Sequence, residues 1–237
     1  MTKAFVAGAT GLTGREVVRA LRARGVDVHA HVRPDSRALD EWRQRFGAMG
    51  AEVDTTPWDE AAMKTRLTSL APTHVFALLG TTQKRGRAAK NGGKDETYET
   101  VDYGLSALLL RAATACGSKP RFVYLSSMGV NATTKNPYLA VRHRLETELR
   151  QSGLPWFAAR PSFIVGERDE ARPMEKVGSV VGDGLLALAG ALGAKKLRES
   201  YRSQTGEELG SALVKLALDE SPDRVVTSDE LRALVHS

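Results

Sequence analysis

Residues 5–16 read FVAGATGLTGRE, which places Gly8, Gly11 and Gly14 at G-x-x-G-x-x-G spacing. An apolar run of strand length, Ala4–Ala7, precedes them, and an amphipathic stretch of helix length, Gly14–Arg24, follows. A strand that turns at once into a helix needs positive φ in the turn and close packing of the helix onto the strand, and glycine meets both demands. The helix N-terminus then presents unpaired N–H groups and a partial positive charge, which suit the pyrophosphate of a dinucleotide. With strand, turn and helix all in place, the motif is far more specific than three glycines alone. Thr10, Leu12 and Thr13 complete the candidate cofactor loop.

Outward from this turn, apolar runs alternate with amphipathic ones. Strands are expected at Val26–Val32, Ala51–Asp54, Thr73–Leu79, Arg121–Ser126 and Pro155–Ala159. Helices are expected from a cap at Ser36 to Gly47, then over Trp58–Leu70 behind Pro57, Asp95–Ala115 and Tyr138–Ser152. That rhythm implies α/β architecture, a doubly wound parallel sheet with helices on both faces. The runs HVFALLG and FVYL are continuously apolar, as strands buried on both faces should be. After Pro161 the alternation fades into an apolar stretch, a helix over Gly206–Leu218 and a helical end, Thr227–Val235, opened by a capping box of Thr227 and Glu230. The expectation is one domain over 1–237: a dinucleotide-binding core to about residue 165, and a C-terminal third that covers the open end of the sheet on the substrate side.

Composition narrows the function classes. A chain of 237 residues with 42% hydrophobic and 26% charged residues is ordinary for a globular domain. One cysteine, Cys116, rules out a disulfide framework and any multi-thiolate metal site. His29 and His31 alternate on the second strand with no acid or thiol completing a ligand set, so no metal is expected. The opening MTKAFVAGAT lacks a signal-peptide pattern, and with the lone thiol it suggests a cytoplasmic protein. Residues 177–194 carry a single charge but five glycines, which favours a helix packed inside the domain over a membrane span. The net charge of +6 includes Lys84, Arg85, Arg87, Lys90 and Lys94 in one loop after the fourth strand. That loop reads as a lid over an anionic ligand or as a solvated segment. Nucleic-acid binding is disfavoured, because no aromatic residue interleaves the charges.

The end of the second strand bears on cofactor choice. HVRPDSR places Arg33, Ser36 and Arg37 where a 2′-phosphate would lie, and a guanidinium can grip such a group with two hydrogen bonds. NADP(H) is therefore favoured. Asp35 could instead take a ribose hydroxyl, which keeps NAD(H) open.

GATGLTG, LLGTT, VDYG, YLSSMG, PYLAVRHRLETEL and ARPSFIVGER together resemble the atypical short-chain dehydrogenase/reductases. Within that group they are most similar to the branch of the human Tat-interacting oxidoreductase. The likeness covers about Lys3–Arg168 and implies a Rossmann-type sheet. It also implies a serine, a tyrosine and a lysine four residues later around the substrate oxygen. Carried over, Ser126 or Ser127 is the serine and Tyr138 the general acid or base. Position 142 holds Arg where the family has lysine, so the motif reads Y-x-x-x-R. Two cations of different shape are not interchangeable, which leaves reduced, redirected or full activity open. The resemblance further places Leu79, Gly80 and Thr81 against the cofactor's adenine-side ribose, and Arg160, Pro161 and Ser162 beside the nicotinamide. The implied substrate is a small carbonyl or alcohol. The alternative is a cofactor-binding, redox-sensing protein with little catalysis that reports to a protein partner. Glu146 and Glu148 read as solvated helix charges.

Overall fold

The computed structural model describes residues 1–81, 97–162, 164–165 and 204–236. The basic loop 84–94 and the apolar stretch 177–194 lie outside the described residues. In chain order the elements are β1 (Lys3–Ala7), α1 (Leu12–Ala23), β2 (Asp27–His31), α2 (Leu39–Ala48), β3 (Glu52–Asp54), α3 (Glu60–Leu70) and β4 (His74–Ala77). A π-helical stretch, Tyr98–Leu105, then runs directly into α4 (Ser106–Ala115). There follow β5 (Arg121–Leu125), α5 (Pro137–Gln151), β6 (Trp156–Arg160), β7 (Ile164–Val165), β8 (Gln204–Thr205), α6 (Gly206–Asp219), β9 (Arg224–Thr227) and α7 (Ser228–His236).

Seven of the strands form one parallel sheet in the order β3-β2-β1-β4-β5-β6-β9, and β7 and β8 pair separately. The chain moves outward from β1 to β2 and β3, returns, and continues on the other side through β4. The order therefore reverses between β1 and β4, and ligands of open α/β sheets bind at the carboxyl ends beside such a reversal. Alternation along β1 divides the core. Ala4 and Val6 face α1, α2, α6 and α7 through Val17, Leu21, Phe46, Leu213 and Leu231. Phe5 and Ala7 face α3, α4 and α5 through Met63, Leu67, Leu109, Leu145 and Leu149. A strand covered on both sides has no polar face, which is why these runs read as continuously apolar.

Beyond the small β7–β8 pair, the structure departs from the sequence reading at four places. Ser36 caps nothing: α2 starts at Leu39 without a side-chain cap, and Ser36 lies in a turn, where its N–H donates to the Arg33 carbonyl. α3 is capped by Asp59, whose Oδ1 accepts from the Ala62 N–H, and so begins two residues after Trp58. The long helix after β4 is π-helical in its first eight residues, with a capping box between Thr97 and Thr100. Arg224–Thr227 is a seventh strand beside β6, and only after it does the Thr227–Glu230 box open α7. No helix among the described residues is long and apolar enough to cross a membrane.

Two histidines couple this packing to pH. Burial holds His31 below its ordinary 6.5, while its Nε2 lies 2.7 Å from the Thr56 carbonyl oxygen. His74 is lowered by burial and by the nearby Arg121 charge. Below that ordinary value the unfolded chain takes up protons that the folded chain resists, so stability is lost as pH falls. The thermal midpoint should drop between about pH 7.5 and about pH 5.5. Scanning calorimetry of the His31→Gln, His74→Gln double variant should show a flatter dependence over the same interval.

Candidate functional site

The glycine turn closes on backbone. Gly8 has φ +80, and a Cβ placed there would lie 2.5 Å from the Leu78 carbonyl oxygen on the strand end that follows β4. A Cβ on Gly14 would be driven into the Gly8 carbonyl oxygen and lie 2.8 Å from the Ala9 Cα. The Gly11 N–H donates to the same Gly8 oxygen at 3.0 Å. α1 begins at Leu12 with no side-chain cap and no acidic residue in its first turn. A turn stripped of side chains in front of an uncapped helix start is a cradle for a pyrophosphate. The residues present therefore fit a dinucleotide, and this turn and helix start consist of Gly8, Thr10, Gly11, Leu12, Thr13 and Gly14 with Ala9.

On the loop after β2, the Arg33 guanidinium stands 3.9 Å from the Asp35 carboxylate, and both are partly exposed. The two groups weighed as rivals for the adenosine end thus sit together, near Ser36 and the exposed Arg37. Across the reversal, Leu79, Gly80 and Thr81 leave β4. The Thr81 hydroxyl is buried with no hydrogen-bond partner among the described residues.

A second group of residues gathers at the carboxyl end of β5. Asn136 caps α5 by accepting from the Tyr138 N–H, with Pro137 in the first turn, which sets Tyr138 at the head of the helix. Arg142 follows one turn later, on the same side of the helix. Its side chain is buried, and its guanidinium carbon lies 4.4 Å from the centroid of the Tyr138 ring. Nη1 donates to the Leu125 carbonyl at 2.6 Å and to the Tyr124 hydroxyl at 3.3 Å. Nη2 donates to Asp102 Oδ1 at 2.8 Å. The other Asp102 oxygen accepts from the Thr81 N–H at 2.9 Å. Burial raises the Asp102 carboxyl above the ordinary carboxylate range, and Arg142 and the Thr81 amide offset only part of that. Burial likewise pushes the Tyr124 phenol up to about 12, which keeps it a neutral hydroxyl beneath the guanidinium. Arg142 stays charged, because the opposing groups around it outweigh its own desolvation.

The two serines part company. Ser126 is buried and donates to Glu146 Oε1 at 2.6 Å. Ser127 is partly buried, and its hydroxyl donates to the adjoining Met128 carbonyl at 3.2 Å. Glu146, read from the sequence as a solvated charge, has no exposed surface at all. Arg160 grips it with two hydrogen bonds of 2.9 and 2.6 Å, and Arg150 adds a third contact at 3.2 Å. A carboxylate accepting from a hydroxyl and two guanidinium groups has compensation for its desolvation, which explains a buried glutamate on a helix that looks amphipathic. Ser126 and Arg160 are thus drawn into a bracing network, whereas Ser127 and Tyr138 are not part of it. Pro161 is buried, and the Ser162 N–H donates to the Ser228 hydroxyl at 3.3 Å.

Sequence reasoning missed Asp102 and Glu146. The signal for Asp102 was present in VDYG, an acidic residue four positions before the buried Ser106 and so on the buried side of its helix. Among the described residues no group of three or more His, Cys, Asp and Glu side chains could hold a metal ion.

A family model described as NAD(P)H-binding matches residues 8–184. The chain is 28% identical over 180 residues to the protein fmp52-1, mitochondrial, of Aspergillus terreus, across 74% of this chain and 72% of that one. It is 27% identical over 223 residues to the protein fmp52, mitochondrial, of Emericella nidulans, across 92% and 88%. Among solved structures it is similar to the UDP-glucose 4-epimerase from Brucella ovis in complex with NAD, with a TM-score of 0.64 and 15% identity, across 98% of this chain and 81% of that one. At that identity the likeness shows the fold, a Rossmann-type one. The expectation of a cytoplasmic protein is overturned by relatives that are named mitochondrial.

The closed backbone at the glycine turn leaves no room for a methyl group. Gly14→Ala should destabilise the fold by about 1–3 kcal/mol, the usual cost of overpacking. In calorimetric titrations it should also lose most of its affinity for a nicotinamide dinucleotide, whereas Gly25→Ala, at an open turn, should retain it.

Proposed function

The chain belongs to the NAD(P)H-binding family, and from that premise we propose that it is an NADP(H)-dependent oxidoreductase acting on a small carbonyl or alcohol. The observation that carries this reading is the Tyr138–Arg142 pair, held by Asp102 against the same turn, Gly80–Thr81, that borders the cofactor cleft. The nicotinamide, when bound, supplies or accepts the hydride at the substrate carbon. Tyr138 gives the matching proton to the carbonyl oxygen in reduction and takes it back in oxidation. Ser127 is the hydroxyl that steadies that oxygen, since Ser126 is engaged by Glu146. Arg142 places a fixed positive charge over the Tyr138 ring. Gly8–Gly14 hold the pyrophosphate, Arg33 with Arg37 the 2′-phosphate, and Leu79–Thr81 with Pro161 and Ser162 line the remainder of the cleft.

The alternative, cofactor binding without efficient chemistry, draws on arginine in a lysine position. The hydrogen bonds of Arg142 argue for a fitted residue instead. Its two terminal nitrogens reach Asp102 and Leu125 separately, which a single ammonium nitrogen at the end of a shorter chain does less well.

Calorimetric titration should show at least about tenfold tighter binding of NADPH than of NADH, a difference of about 1.4 kcal/mol. Arg33→Ala should erase that preference, and equal affinities in the unaltered chain would remove the argument from Arg33. In a carbonyl screen with NADPH, Tyr138→Phe should lower turnover by about 10²–10⁴-fold, the usual contribution of general acid–base catalysis. Unchanged turnover in that variant would exclude Tyr138 as the proton donor.

A further inference from the structure

Asp102 is 1% exposed and lies on the π-helical stretch that leads into α4. Such stretches are rare and often mark functional sites. The two Asp102 oxygens serve different partners, since Oδ1 accepts from Arg142 Nη2 and Oδ2 from the Thr81 N–H. A methyl group on Gly80 would stand 3.5 Å from both Arg142 Nη2 and Asp102 Oδ1, so the ion pair passes directly under the turn that leaves β4. Arg142 is consequently anchored at two points on two elements, Asp102 on the π-helical stretch and the Leu125 carbonyl on β5. Two anchors define the plane of a guanidinium, whereas one leaves it free to swing about that contact. The plane matters because the guanidinium packs over the Tyr138 ring.

We propose that Asp102 is a positioning residue for the Tyr138–Arg142 centre, tying it to the cofactor-side turn Gly80–Thr81. This rests on the reading of Tyr138 as the proton donor. Asparagine in its place keeps one acceptor oxygen and turns an NH2 group toward the other donor, so the two contacts, now on separate oxygens, cannot both keep their geometry. A second ion pair supplies a contrast: the buried Asp54 ends β3, at one edge of the sheet, and meets the partly exposed Arg66 of α3.

The test uses the full chain labelled with ¹³C-tyrosine, in which the Tyr138 ring signal is identified by its loss from Tyr138→Phe. Asp102→Asn should displace that signal from its wild-type position. Asp54→Asn, which breaks the distant pair, should leave it in place. A folded Asp102→Asn protein with the Tyr138 signal unmoved would overturn the proposal. Where Asp102→Asn does not fold, Arg142→Lys serves, since it keeps the charge but not the two-point anchorage, and an unmoved signal there is equally fatal. In turnover, Asp102→Asn should lower kcat by about 10²-fold, the usual effect of misplacing a reacting group by an ångström. KM for NADPH should change little, and a rise in KM with kcat intact would count against a positioning role. The spectroscopic arm needs no turnover, so it decides on Asp102 even where Tyr138→Phe shows the acid–base reading to be wrong.

Discussion

The contact on which the arrangement depends is that of α1 with the backbone of the glycine turn. With no side chain at Gly14, the helix starts against the Gly8 carbonyl, and with none at Gly8 the turn lies against the strand end after β4. Everything on that face inherits the closeness. α6 packs on α1 through Gly206, where a Cβ would lie 2.8 Å from Leu12 Cγ, and Gly210, where one would lie 2.6 Å from Glu16 Cβ. Helices that meet through glycine approach more closely than side chains allow. A bulkier turn would displace α1, then α6, and with them the hydrophobic cluster on that side of the sheet.

The same constraint explains what could be read from the chain. The turn, the strands up to β6 and the division of the core follow from local patterns, because β1, β4, β5 and β6 are mainly apolar and all six strands have clear breaks between them. Strand β9 was not legible: Arg224 and Thr227 give a four-residue strand two polar ends, and its identity comes from pairing with β6 on the opposite edge from β3. The small pair β7–β8 escaped for a similar reason, since two-residue strands carry no periodicity. The π-helical register before α4 leaves no mark in composition, and it emerged only from the hydrogen bonding.

At the site, the residue types were legible and their partnerships were not. Tyr138 and Arg142 could be placed on one helix face from their spacing alone. That Asp102 lies across from them depends on a contact forty residues distant in sequence. Glu146 failed for a subtler reason. It occurs among charged residues on α5, and a charge run is ordinarily solvated, yet Glu146, one turn after the buried Arg142, turns inward to meet Arg160 and Ser126.

Beside β5, the carboxyl edge of the sheet therefore holds two buried carboxylates that divide its labour. Removing a charge from water is costly, and a buried ion pair is seldom worth much to stability in itself. Two of them beside a candidate centre are better understood as devices for holding side chains in place. Glu146 braces: it takes Ser126 and Arg160 out of contention and ties α5 to β5 and β6. Asp102 aims, fixing a guanidinium between the Gly80–Thr81 turn and the tyrosine ring. Lysine could supply the charge, but a single nitrogen does not define a plane. An arginine at position 142 is intelligible only together with the aspartate opposite it. The departure from the lysine that the resemblance implies and the buried acid are thus two halves of one feature.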